Sequence, residues 1–166
     1  TNEASGQNTF IGGGYSNTAS GGSSSIGGGV GNQAIGNNSA ISGGSNNTAS
    51  GVGSLISGGG GNQSTATYSS VGGGVGNTAS GYRSTVSGGQ NNTAYQYTYG
   101  FTTIGGGLNN TNVGDYSTIG GGSGNNVSNY ESTISGGSAN IASGVASTVS
   151  GGSGNTASGG QSTISG

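Results

Sequence analysis

Four side chains in this chain carry a formal charge at neutral pH: Glu3, Arg83, Asp115 and Glu131. Histidine, cysteine and lysine are absent, so a serine nucleophile has no side-chain base and no thiolate site can form. The one arrangement with catalytic chemistry is Asp115 with Glu131, which a repeat would bring close enough for the acid and base pair of a glycosidase. The plainer reading is two solvated surface charges. No enzyme is expected on these residues, and no metal or cofactor, because one or two carboxylates do not make a calcium cage. A single arginine also excludes a basic footprint for nucleic acid.

The other residues able to recognise something are aromatic. "YQYTYGF" holds Tyr95, Tyr97, Tyr99 and Phe101, four of the ten aromatics in the chain. In an extended chain these four alternate onto one face, and Tyr82, Tyr116 and Tyr130 sit at or beside the same corner of neighbouring repeats. Together they form a candidate contact surface for a glycan or a partner. The competing expectation is that the stretch folds back over its own rod or fills a seam between chains.

What must position these side chains is a repeat. Glycine supplies 44 of 166 residues, hydrophobic residues 26% and charged residues 2%, with no proline, which excludes a conventional core. An aliphatic residue marks each unit: Ile11, Ile26, Ile41, Ile56, Val71, Val86, Ile104, Ile119, Ile134, Val149 and Ile164. The step is 15 residues throughout except between Val86 and Ile104, where three extra residues fall on the aromatic stretch around 95–103. Six positions after the aliphatic residue is always asparagine: Asn17, Asn32, Asn47, Asn62, Asn77, Asn92, Asn110, Asn125, Asn140 and Asn155. Two positions before it is always Ser or Thr. The triple glycines at 12–14, 27–29 and 72–74 belong to this lattice as corners, since no lysine follows them as in a phosphate loop.

A period this short is too small for helical repeats or propeller blades and fits one coil of a β-solenoid. The expected fold is all-β, a single array over residues 1–166 of about eleven coils in a parallel β-roll, stacked at about 4.8 Å into a rod on the order of 50 Å long. Alternation places the Ile/Val, Asn and Ala columns inside. Stacked asparagines then satisfy one another from coil to coil. One Ile or Val and one Ala per coil is a thin core, so the Thr/Ser-rich faces are expected to pack against other copies in an oligomer.

The phrases "GNTASGYRSTVSGGQNNTA", "GSGNTASGGQSTISG" and "NYESTISGGSANIASG" resemble the head repeats of trimeric autotransporter adhesins, the YadA-like heads, over nearly the whole chain. The resemblance implies a left-handed parallel β-roll with three chains side by side, displayed on a bacterial surface and binding matrix or other cells. The constant Gly-Gly step and constant Asn depart from the Ala-rich family unit, and no neck, stalk or membrane barrel accompanies the repeats.

The leading expectation is therefore a non-enzymatic extracellular or cell-surface rod, an adhesin head working by multivalent contacts with matrix, glycan or other cells. The alternative is the subunit of an extracellular filament, because the chain starts and stops mid-repeat with no polar cap, as an excerpt of a longer rod or a head-to-tail stacking unit would. No apolar run is long enough to insert in a bilayer. Ice binding is the remote alternative, since the outward residues are mixed (Ser25, Ala40, Leu55, Ser70, Thr85) where an ice plane needs uniform threonine. Asn-x-Ser/Thr triplets at Asn46, Asn62, Asn91 and Asn109 fall out of the repeat and are weak glycan signals.

Overall fold

Each coil gives two strands of two residues, one to each of two eleven-stranded parallel sheets. The first sheet runs from Glu3–Ala4 to Thr156–Ala157 and the second from Phe10–Ile11 to Thr163–Ile164. This is a computed structural model, and it describes residues 1–96 and 98–166. Every strand pairs with the equivalent strand one coil on, so Thr78 lies beside Thr93 and Ser70 beside Thr85. Across the insertion the pairing simply lengthens to Thr85 with Thr103 and Thr93 with Thr111. The chain is a parallel β-solenoid of about eleven turns, as the repeat requires. Among the described residues no helix occurs.

The strands are short because the corners are frequent, and the period-2 alternation decides what each strand buries. From Ala19 to Ala157 the second residue of each first-sheet strand points inward as a mostly alanine column that includes Val127, and that of each second-sheet strand as an Ile/Val column. The two columns face each other across the whole rod, with Ile11 and Ile164 only partly covered in the end coils. Polar residues enter the alanine column twice, each with partners. Ser64 shares a 2.8 Å hydroxyl bond with Ser69, and Asn112 accepts from the Ser117 hydroxyl and donates to the Thr103 carbonyl at 3.1 Å.

The asparagine column is buried at the corner after the second sheet, and its bonding is more than amide to amide. The Asn32 amide nitrogen donates to the carbonyls of Gly28 in its own coil and Gly44 in the next. Its carbonyl oxygen accepts the backbone N–H of Asn47 at 3.1 Å, beside an amide contact of the same length. Between Asn62 and Asn77 only the backbone bond remains, at 2.9 Å. The ladder thus clamps the glycine corner and the next strand entry together. Glycine is required there: at Gly44, with φ +94°, a Cβ would lie 2.1 Å from the Gly59 carbonyl oxygen.

A fourth inward column joins the expected three. The Ser or Thr two positions before each aliphatic residue is buried from Ser24 to Ser147, sharing the strand face of the Ile/Val column. Ser132 donates to the Gly144 carbonyl at 2.7 Å, whereas the hydroxyls of Ser24, Ser39 and Ser54 have no protein partner. Burial also removes Asn62 from the glycan acceptors, leaving Asn46, Asn91 and Asn109 exposed.

Candidate functional site: an aromatic edge

One corner of the solenoid lies between the first-sheet and second-sheet strands of each coil. The residue three before the aliphatic position takes a left-handed backbone there in coil after coil: Asn8, Ser23, Asn38, Tyr68, Arg83, Phe101, Tyr116, Glu131, Ala146 and Gln161, with φ from 53° to 61°. Its N–H donates to the carbonyl of the preceding position one coil back, as in Phe101 to Tyr82 and Tyr116 to Gly100, both at 2.9 Å. This second backbone ladder fixes the corner rigidly at the coil spacing. Asn and Gly tolerate such a backbone, but bulky residues pay roughly 1–3 kcal/mol for it. Tyr68, Phe101 and Tyr116 nonetheless occupy it, with φ of 57°, 61° and 54°.

The result is a ladder of rings along one edge of the rod. Tyr68 meets Tyr82 edge-on at 6.4 Å, Tyr82 meets Phe101 at 6.0 Å, and Phe101 stacks on Tyr116 at 5.2 Å and 11°. Tyr116 then contacts Tyr130 at 5.5 Å and Tyr99 at 6.4 Å. These separations are those of favourable aromatic pairs. The Arg83 guanidinium lies over Tyr82, Phe101 and Tyr68 at 5.2, 5.4 and 5.7 Å, so the one cation of the chain is held by rings. Most of this apolar surface faces solvent: Tyr68 is 56% exposed, Tyr99 60% and Tyr116 46%.

The insertion does not run as an extended strip. Eight residues (95–102) separate Ala94 from Thr103, where five (80–84) separate Ala79 from Thr85. Gly100 and Phe101 both have positive φ, which turns the chain and ends any alternation. Tyr95 instead continues the first sheet, donating its N–H to the Asn112 carbonyl at 2.9 Å, and stands apart from the ring ladder. Tyr97 lies outside the described residues. Tyr99 and Phe101 join rings from other coils, and so the ladder is built across the lattice, through one corner position, rather than along the insertion.

Asp115 explains how the insertion is held, and it is no surface charge. It is buried, and its carboxylate accepts backbone N–H bonds from Gly100 at 2.8 Å and Thr98 at 3.0 Å. On the other side, the Gln96 side-chain oxygen accepts the Tyr82 N–H. The segment is clasped between the coils before and after it. Glu131, the other half of the carboxylate pair, is exposed and linked to Asp115 through its own N–H on the Asp115 carbonyl at 3.0 Å. Beside it, partial burial and then the negative charge of Glu131 raise the Tyr130 phenol above its ordinary value.

Sequence reasoning reached Tyr82, Tyr116 and Tyr130 by proximity but missed Tyr68 and Arg83. The signal was present: counted back three from Val71 and Val86, they fall at the lattice position of Phe101 and Tyr116. Among the described residues no cluster of three or more metal-binding side chains exists. No helix of the described residues is long and apolar enough to cross a membrane.

The fold and the edge define a class, a two-sheet parallel β-solenoid carrying an aromatic ladder on one corner. No protein-family model and no curated protein matches the chain.

Proposed function

We propose that the chain is a non-enzymatic extracellular repeat rod that works as an adhesin head, with the aromatic edge as its contact surface. The carrying observation is the cost of that edge. Three bulky rings occupy a left-handed corner that smaller residues (Asn8, Ser23, Asn38, Gly53, Ala146) or flexible polar ones (Arg83, Glu131, Gln161) fill in other coils, and they remain exposed instead of filling a core. Strained residues of this kind persist where function favours them. The absence of thiols and the scarcity of charge suit an extracellular setting. The likeness to YadA-like heads adds left-handed coils packed side by side in an oligomer, which would cover the Thr/Ser faces and supplement the thin interior. The rival within this class is a filament whose polymer is its function.

Two measurements separate these. Mass photometry of purified protein is expected to give a discrete oligomer, and electron micrographs to show short rods. Long uniform fibres with an axial repeat near 50 Å would sink the adhesin head in favour of the filament. Surfaces coated with the protein are expected to retain cells or matrix, and a Tyr68→Ala, Tyr116→Ala double variant to retain fewer.

One observation favours a second activity on a different surface. The outward column of the second sheet is mixed from Phe10 to Ser70 but is then threonine six times: Thr85, Thr103, Thr118, Thr133, Thr148 and Thr163, paired in register. A column of hydroxyls and methyls repeating at about 4.8 Å on a rigid sheet can order water as an ice plane does. Inhibition of ice recrystallisation that is lost in Thr118→Lys, Thr133→Lys would support this, and no inhibition by the wild-type protein would refute it.

A further inference from the structure

Where the ring ladder meets the insertion, an open cleft of about 340 Å³ forms between Tyr99 and Tyr130, with Val113, Asp115, Ser128 and Asn129 among its lining residues. That volume is at the lower end of small-molecule sites, which run from roughly 300 to 1,000 Å³. Its walls are aromatic and its remaining polar groups are specific. Asn129 donates one amide N–H to the Ser143 carbonyl and accepts the Tyr130 N–H, which leaves its second N–H for a ligand. The Asp115 carboxylate takes two backbone bonds, and an ionised carboxylate has about four lone-pair sites, so acceptor capacity remains. Aromatic faces for C–H surfaces, beside an amide donor and a charged acceptor fixed in place, are the complement of a sugar ring.

We propose that this cleft is a subsite for one residue of a neutral polysaccharide. The inference rests on the reading of the edge as a contact surface and names its ligand. Charge decides for neutral sugars. The formal charges beside the cleft are Asp115 and Glu131, both negative, and the sole cation, Arg83, is held over three rings away from it. A sialylated, sulfated or uronic acid chain would meet repulsion with no guanidinium or ammonium to pair it. The fixed corner backbone beside the cleft means little ordering is left to do on association.

Affinity electrophoresis of the full chain in native gels tests this, with hydroxyethyl cellulose or glucomannan as neutral probes and polygalacturonate or heparin as anionic ones. Retardation is expected in at least one neutral gel and in neither anionic gel. The apparent Kd should rise tenfold or more in Tyr130→Ala and in Tyr99→Ala, both surface changes that leave the far-ultraviolet circular dichroism of the rod unchanged. Asn129→Asp, which removes the donor and adds repulsion between carboxylates, should weaken binding in the same gels. No retardation in any neutral gel overturns the proposal, as does retardation that the ring variants leave intact or that only anionic gels produce. Loss of an oligomer in Tyr130→Ala, without glycan binding by the wild type, would assign the rings to a seam between copies and overturn it too. Should coated surfaces still retain cells while neutral glycans fail, the contact-surface reading stands and the sugar subsite alone falls.

Discussion

The carboxylate of Asp115 accepts a 2.8 Å hydrogen bond from the backbone N–H of Gly100, one coil earlier in the solenoid. Gly100 sits at φ +89°, and a Cβ there would lie 2.1 Å from the Tyr82 carbonyl oxygen, so the turn that presents Phe101 depends on both residues. A buried N–H left without its partner costs about 1–3 kcal/mol. In a solenoid that cost is felt locally, because each coil contacts only its neighbours. Asp115→Ala is therefore expected to leave the circular dichroism of the rod intact while chymotrypsin cleaves between Tyr95 and Phe101 many-fold faster. Asp115→Asn, which keeps an acceptor for Gly100 but turns an N–H toward Thr98, should fall between the two. Equal cleavage rates in all three proteins would remove Asp115 from this role.

The asparagine column should be the least tolerant part of the interior. Asn77 donates to the carbonyls of Gly73 and Gly89 and accepts the Asn92 N–H at 2.9 Å. Asn77→Ala orphans the Gly73 carbonyl and the Asn92 N–H, while the Gly89 carbonyl keeps the Val75 N–H at 3.0 Å, for a loss on the order of 2 kcal/mol or more. Asn77→Asp is expected to be worse, since it keeps the acceptor, deletes both donors and buries a charge. Urea denaturation followed by circular dichroism measures both, and a loss below about 1 kcal/mol for either would contradict the clamp.

Two glycines should respond very differently. Gly44→Ala forces a Cβ to 2.1 Å from the Gly59 carbonyl oxygen at φ +94°, and should destabilise by at least roughly 3 kcal/mol. Gly61 has φ +63° with no atom near its missing Cβ, and Asn46, Asn91 and Asn109 fill the same lattice position in other coils at φ 54–55°. Gly61→Asn should change the urea midpoint little, as a surface substitution usually does.

The phenol of Tyr130 should titrate late. Partial burial and then Glu131 raise its pKa, with smaller contributions from Tyr116, Tyr99 and Asp115. Because the folded value lies above the unfolded one, the neutral phenol favours the fold. That contribution is complete below the ordinary tyrosine value of about 10 and is lost as pH rises through the folded pKa. Phenolate absorbance at alkaline pH is expected to show a late component that Tyr130→Phe deletes. Glu131→Gln should move that component toward lower pH without removing it, since desolvation persists.

By itself, the sequence determined the solenoid lattice. In a parallel stack each residue lies beside its own copy one period away, so the spacing of Ile26, Ile41 and Ile56 is already a statement of contact, and so is that of Asn17, Asn32 and Asn47. Burial followed from alternation, because Ala34 and Ile41 can only face inward if Gln33 and Ala40 face out. The tertiary structure decided what the lattice leaves free. Its corner positions have no alternation to read, so the left-handed backbone that aligns Tyr68, Arg83, Phe101 and Tyr116 emerged only from the coordinates. The insertion has no copy above or below to fix it, and extended-chain reasoning failed there because Gly100 and Phe101 turn the chain. Asp115 looked like a solvated charge for the same reason: its partners are backbone N–H groups of a segment whose path no repeat specifies. Repetition makes contacts readable from sequence, and the aromatic edge is built at the corner, where the backbone repeats but the side chains do not.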